Sequence, residues 1–196
     1  MKKIATALLL SAAISAPAFA ANEGAYVAVD LGQASFSNAN GGPNGTTAFP
    51  NPGSLRIGGG YHFSQYVGVE AGYSIIGDST INSTITGVGT ATETLKTKSL
   101  NVAAVGTYPI NDMFNVFGKL GLANTKIDYT LTSNFGATGS ASASKTNLMF
   151  GLGGQYNINQ HFGIRAQYED FGKVQFAGTG PNVGVKVISV GGVYNF

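Results

Sequence analysis

From Ala25 to the terminal Phe196 the chain repeats one pattern: over segments of about ten residues, apolar side chains keep to one parity and small or polar side chains to the other. A period of two is the signature of a strand with two unlike faces. Eight such segments can be traced, running Ala25 to Phe36, Ser54 to Phe63, Val67 to Ile76, Leu95 to Tyr108, Phe114 towards Tyr129, Asn147 to Tyr156, Phe162 to Phe171 and Val183 to Phe196. In the third, Val67, Val69, Ala71, Tyr73 and Ile75 alternate with Gly68, Glu70, Gly72 and Ser74. In the fifth, Val116, Leu120 and Leu122 alternate with Asn115, Phe117, Lys119 and Gly121.

The parity of the charges decides which face is which. Asp30, Arg56, Glu70, Lys119, Arg165 and Glu169 all sit on the small and polar side. A hydrocarbon medium offers them no partner, whereas a closed interior can, so the aliphatic face is expected to meet lipid and the charged face to line a lumen. Composition agrees with that orientation. Only 10% of residues are charged, and there are 29 glycines; a soluble sandwich would need more charge outside. Beyond residue 20 no apolar run approaches the length of a spanning helix. The sequence therefore predicts an all-β, transmembrane, antiparallel up-and-down β-barrel of eight strands.

The connections alternate in length as such a barrel requires, with short turns on one side and long loops on the other. Short turns are expected at Phe63 to Tyr66, Pro109 to Met113 and Asn157 to His161, and long, solvated loops at Ser37 to Gly53, Gly77 to Glu93, Thr130 to Ser144 and Gly172 to Pro181. The three short turns form an internal repeat. Their outward anchors, Tyr61 with Val67, Tyr108 with Phe114 and Tyr156 with Phe162, are each six residues apart. Tyr61, Tyr108, Phe114, Tyr156 and Phe162, joined by Tyr194 and Phe196, are expected to form an aromatic girdle at the lipid interface.

The first twenty residues read differently. Met1-Lys2-Lys3, an apolar stretch from Ile4 to about Ile14 and Ala18-Phe19-Ala20 describe a secretory signal peptide, leaving one domain over 21–196. Eleven Lys and Arg face nine Asp and Glu in the whole chain, and cleavage would take Lys2 and Lys3 and leave the charges balanced. No basic run with interleaved aromatics argues for nucleic acid as a partner. There is no Cys, so no disulfide holds the fold.

The fragments Val67-Gly-Val-Glu70-Ala-Gly-Tyr73, Tyr108-Pro-Ile, Lys119-Leu-Gly, Gln155-Tyr-x-Ile and Ile164-Arg165-x-x-Tyr168 resemble, in order and spacing, the transmembrane domain of outer membrane protein A and related small barrels. The resemblance implies a cell outer membrane location and a monomer surrounded by outer-membrane lipid and lipopolysaccharide. It also implies an assembly signal, read by barrel-insertion machinery, in Ser189, Gly191, Tyr194 and Phe196. In that family a lumen ion pair corresponds to Glu70 and Arg165. The repeated turn places these two at similar depth on opposite strands, with Gly68, Gly72 and Gly153 expected to give the Arg room to cross. Alternatively, each is solvated separately or pairs with Asp30, Arg56, Lys119 or Glu169. The family's second lumen pair is replaced here by neutral Val105 and Gln155.

Eight strands leave an interior about filled by side chains. The resemblance then implies a structural or surface-interaction barrel presenting four loops, acting in envelope integrity, adhesion or host interaction, with a host or surface ligand held by the loops and at most a narrow pore. The alternative class is a carrier or channel for small solutes or hydrophobic molecules, for which inward Phe117 and Met149 are the apolar candidates. Catalysis is not expected. The two histidines, His62 and His161, sit at turns, and although His62-Phe63-Ser64 is similar to the His-x-Ser spacing of lipid A deacylase barrels, it lies at the end away from the outer leaflet. No metal-ligand cluster or cofactor motif is read.

Overall fold

A computed structural model describes residues 23–41, 47–175 and 182–196. The expected signal segment 1–20 lies outside these residues, as does 176–181 of the fourth loop. The strands are β1 (Gly24–Ser37), β2 (Asn40–Gly41), β3 (Thr47–Ala48), β4 (Gly53–His62), β5 (Val67–Ile85), β6 (Gly89–Pro109), β7 (Phe114–Ser133), β8 (Thr138–Asn157), β9 (Phe162–Gln175) and β10 (Asn182–Asn195). Eight of them close a barrel in the order β1-β10-β9-β8-β7-β6-β5-β4, and β2 pairs with β3 in a small separate sheet. The first and last strands seal it antiparallel, from Tyr26 opposite Asn195 to Ser37 opposite Gly184.

Parity falls as the charges dictate. Leu31, Leu100, Leu120, Leu148, Leu152 and Ile188 are each at least 60% exposed on the outer face, while Asp30, Arg56, Glu70, Lys119, Arg165 and Glu169 are buried inside. This inversion of a soluble core is what a lipid solvent selects.

The three short turns share one hydrogen-bond scheme. Phe63, Ile110 and Ile158 donate to the carbonyls of Val67, Phe114 and Phe162 at 2.9, 2.9 and 2.8 Å. Asn111 Oδ1 accepts from the Phe114 amide at 2.8 Å and Asn159 Oδ1 from the Phe162 amide at 2.8 Å, each closing its turn from within. In the first turn Ser64 Oγ takes the corresponding place, accepting from Tyr66 N at 3.3 Å.

Two of the four expected long loops are not loops. β5 runs to Ile85 and β6 begins at Gly89, so nearly all of Gly77 to Glu93 is strand; β7 ends at Ser133 and β8 begins at Thr138, so the same holds for Thr130 to Ser144. These stretches carry few large apolar groups, which made them read as solvated, but Thr suits a strand and period two persists through them. Inward Ile81 of the first stretch is buried in one cluster with Leu95 and Ile127, which lie just outside the two stretches. Only Thr86–Val88 and Asn134–Ala137 remain as tips, and they are tied together: Thr90 N donates to Asn134 Oδ1 at 2.8 Å and Asn134 N to the Thr90 carbonyl at 3.1 Å.

The walls consequently differ in height. The β6–β7 ladder climbs from Pro109–Asn115 to Ala91–Ser133, while β8–β9 pairing runs only from Asn157–Gly163 to Phe150–Asp170. β5 to β8 stand above the rest as a four-stranded wall. The outer end of the lumen beside it is filled by an apolar cluster that includes Ile76, Ile81, Leu95, Ile127, Met149, Phe171, Val174 and Val185. The described ends of the first loop pack on this cluster. Phe49 and Ala39 belong to it, Ala34 N donates to the Pro52 carbonyl at 2.9 Å and Ser79 Oγ donates to the Pro50 carbonyl.

Ile127 is fully buried although it lies beyond the lipid band. Ile127→Ala should destabilise the folded barrel by about 2 to 5 kcal/mol. Urea unfolding in detergent micelles measures this, and an unchanged midpoint would mean that this part of β7 is solvated.

Candidate functional site

Below the apolar cluster the lumen is polar. Asp30 on β1 and Arg56 on β4 are direct cross-strand partners, and Glu70 on β5 lies opposite Gly60. Lys119 on β7, and Arg165 with Glu169 on β9, complete a set of three acids and three bases. The structure brings all six together. Arg165 grips Asp30 with Nε to Oδ1 at 2.7 Å and Nη2 to Oδ2 at 2.6 Å, and its Nη1 reaches Glu70 Oε2 at 2.7 Å. Arg56 donates to Glu70 Oε1 at 2.6 Å and to Asp30 Oδ2 at 3.3 Å, and its Nε lies 3.5 Å from Glu169 Oε2. Lys119 Nζ donates to Glu70 Oε1 at 2.6 Å, Gln167 Oε1 at 2.6 Å and Glu169 Oε1 at 3.3 Å.

Glu70 is the hub. Its carboxylate accepts from Arg56, Lys119 and Arg165, and Tyr26 Oη donates to Oε2 at 2.8 Å. Glu70 meets Arg165, Glu70 also meets Arg56 and Lys119, Arg165 also meets Asp30, and both are buried rather than separately solvated. Tyr26, Asn101 and Gln167 were not foreseen as members. Their inward parity was the available signal, since Asn101 Oδ1 accepts from Arg56 at 3.3 Å and both Asn101 and Gln167 are buried.

The glycines open space for neighbours other than those expected. A Cβ on Gly72 would run into the Arg56 guanidinium, one on Gly68 would lie 2.9 Å from His62 Nδ1, and one on Gly153 would meet the Phe117 ring. None of the three clears a path for Arg165. A side chain crowds its adjacent strands before it crosses the lumen, so the room is needed beside each large group; Gly191, whose Cβ would overlap Asp30 Oδ1 and the Val29 carbonyl, plays that part next to Arg165.

The remaining candidates donate no hydrogen bond to the six charged groups, although several pack beside them. Val105 is buried opposite Lys119, and Gln155 Nε2 donates to Asn157 Oδ1 at 2.8 Å. Phe117 lies under Lys119 Nζ, 5.3 Å from its ring centre, and Met149 belongs to the outer apolar cluster. His62 stacks on Tyr26 at 4.8 Å, and His161 Nδ1 lies 3.0 Å from the Asn195 carbonyl. Tyr61, Tyr108, Phe114, Tyr156 and Phe162 are exposed near the turns. Ser189 is buried, Gly191 faces inward, and Tyr194 packs edge-on against Phe162 at 5.0 Å and Phe196 at 5.1 Å. Among the described residues no group of three His, Asp or Glu side chains is arranged to hold a metal ion.

Three buried acids balance three buried bases, so removing one leaves an uncompensated charge. Glu70→Gln should cost about 3 to 5 kcal/mol, and Lys119→Met added to it should recover part of the loss by restoring neutrality. Urea midpoints of the two variants check this; a double variant less stable than Glu70→Gln alone would show that charge balance is not what the network supplies.

Comparison with known proteins adds the family. No curated protein matches the sequence. Among solved structures, the attachment invasion locus protein Ail of Yersinia pestis is similar at 22% identity, covering 89% of this chain and 99% of that one, with a TM-score of 0.58. Neisserial surface protein A is similar at 17% identity, covering 88% and 97%, with a TM-score of 0.61. The N-terminal barrel domain of Pseudomonas aeruginosa OprF is similar at 12% identity, covering 89% and 99%, with a TM-score of 0.54. At these identities the likeness shows the fold. The family of the outer membrane protein beta-barrel domain matches residues 6–196, and with its closed eight-stranded barrel, lipid-facing aliphatic surface and charged lumen, this chain belongs to that family and to the outer membrane.

Proposed function

We propose that the chain is a surface-interaction barrel, sealed through its lumen and presenting the β5–β8 wall to ligands outside the cell. The observation that carries this is the top of the wall. Val88 is 56% exposed and Phe135 42% exposed on tips that project away from lipid, where an uncovered large apolar side chain has no membrane to meet. Gly136, with φ of 91°, and Gly87, with φ of 77°, take the left-handed turns that hold these tips tight. Exposed apolar groups on a rigid, cross-tied support are what a protein partner buries at the centre of an interface. Adhesion or host contact fits this surface, as it fits the name of the similar attachment invasion locus protein.

The rival reading, a carrier for small apolar molecules, meets a lumen that is filled. Met149, Ile127 and Phe171 have no exposed surface, and the charged network closes the path below them. Insertion into the membrane is a separate role, proposed for the terminal strand, whose Tyr194 and Phe196 present aromatic groups at the rim beside Phe162.

Cells displaying the native chain should bind host-cell or extracellular-matrix surfaces above cells lacking it, and Val88→Ser with Phe135→Ser should abolish the difference while barrel abundance stays unchanged. Planar bilayers should show no steady conductance. Equal binding with and without the chain, or a sustained current, overturns the reading. Replacing Phe196 with Asp should lower the amount inserted in cells, checked by quantifying the chain in isolated outer membranes; undiminished insertion would remove the assembly role of this residue.

A further inference from the structure

One backbone hydrogen bond ties each short turn to the next strand along. Thr107 N donates to the Tyr66 carbonyl at 2.8 Å, Asn157 N to the Met113 carbonyl at 2.7 Å and Asn195 N to the His161 carbonyl at 2.7 Å. The three acceptors close the three copies of the repeated turn, so the three donors hold equivalent places on β6, β8 and β10, at the periplasmic mouth of the lumen. Each donor faces inward and carries an uncharged polar side chain. His62 on β4, Asn115 on β7 and Gln155 on β8 complete the rim, with Asn115 opposite Gln155, Asn195 opposite Tyr26, Thr107 opposite Phe117 and His62 opposite Gly68. In the closed order of strands β6 stands across from β10 and β4 from β8. Polar groups therefore converge on the mouth from opposite sides.

All six rim residues are half-buried, yet their side chains scarcely use one another. Gln155 Nε2 donates to Asn157 Oδ1 at 2.8 Å. The carboxamides of Asn115 and Asn195, the Thr107 hydroxyl, Gln155 Oε1 and Asn157 Nδ2 have no hydrogen-bond partner among the described residues. Each of these groups is partly withdrawn from water with its bonding capacity unspent. Behind the rim Tyr26, Phe117 and Val193 are buried and close the lumen with apolar surface, and the His62 ring stacks on Tyr26 at 4.8 Å. No Asp, Glu, Lys or Arg occupies an inward position at this level; Glu23 and Asp112 are exposed before β1 and in a turn.

We propose that the periplasmic mouth of the lumen is a binding cup for a neutral saccharide, its hydroxyls bonded by the free carboxamides and its C–H face laid on the apolar floor. A sugar hydroxyl donates and accepts at once, and a carboxamide offers two donors and an acceptor to meet it. With no counter-charge in the rim, an ionised ligand would give up hydration without return. A mouth ringed by eight strands admits a chain end or a single ring and not a chain passing through; the end of a peptide is charged, whereas the end of a saccharide need not be. A few convergent polar groups over a closed apolar floor make a small-molecule site, and the backbone ties to the three turns hold Thr107, Asn157 and Asn195 in place before the ligand arrives. The cup lies at the opposite end of the barrel from Val88 and Phe135, so it is independent of whatever those residues bind.

The test uses the folded mature barrel in a zwitterionic detergent without a sugar headgroup, titrated with cellobiose and with N,N′-diacetylchitobiose while the side-chain amide signals of Asn115, Gln155, Asn157 and Asn195 are followed by nuclear magnetic resonance. At least one of these neutral disaccharides should shift the signals saturably, and glucuronic acid should bind more weakly. Asn115→Ala with Asn195→Ala, read from the two remaining amides, should weaken binding about tenfold, the loss of about two neutral hydrogen bonds. Asn82→Ala with Asn124→Ala, which removes two carboxamides from the outer face, should weaken it less. Neither Asn115 nor Asn195 has a side-chain partner to lose, and the shift in gel mobility on boiling checks that each variant folds; Asn115→Ala alone, expected to lose about threefold, serves if the pair does not fold. The proposal is overturned if neither disaccharide gives a saturable shift, if glucuronic acid or a blocked alanine dipeptide is held as tightly, or if the mouth variants lose no more than the outer pair.

Discussion

A backbone amide or carbonyl in hydrocarbon has no water to bond, and an unpaired one costs several kcal/mol. The structure depends on meeting that constraint by closure: β10 returns to β1 and pairs from Tyr26–Asn195 to Ser37–Gly184, so the membrane-spanning ladder has no edge. Closure in turn creates an inside, and the inside is where the period-two pattern can place groups that lipid rejects. The charged network, the glycines beside it and the aliphatic outer surface follow from this one requirement.

The lumen is built in two storeys with opposite physics. Around Glu70, six charges pair with one another, an arrangement whose value lies in the cost of disturbing it, because each partner removed strands another in a low dielectric. Further out the same inward parity carries Ile81, Leu95, Ile127, Met149 and Phe171, packed as a soluble core would be and covered by Phe49 of the first loop. The outer storey is needed because the wall continues past the lipid, where the inner face must exclude water through its own packing. In the proposed reading, the outside of the barrel and its tips are the surfaces offered for interaction.

The asymmetry of the rim gives those surfaces a direction. With β8–β9 pairing ending at Phe150–Asp170 and β7–β8 pairing continuing to Thr132–Thr138, one half of the barrel rises where the other stops. The raised half carries Val88 and Phe135 at its top, while the periplasmic mouth carries the uncharged polar rim.

By itself the sequence determined the number and facing of the membrane strands. Side-chain parity is a local property, and placing Asp30, Arg56, Glu70, Lys119, Arg165 or Glu169 on the lipid face would cost too much to leave doubt. It also determined the three short turns, since each carries its own Ser or Asn acceptor two residues into the turn. What only the tertiary structure decided was which charges meet and how far the strands extend. Reach across a lumen depends on the side chains of neighbouring strands, so Gly72 makes room for Arg56 rather than Arg165, and Tyr26 arrives at Glu70 from a strand 44 positions away. Strand length in the outer half depends on pairing on both sides: residues such as Ser79, Thr97 and Thr125 are too small and polar to announce a core, yet they are buried once four strands stand together.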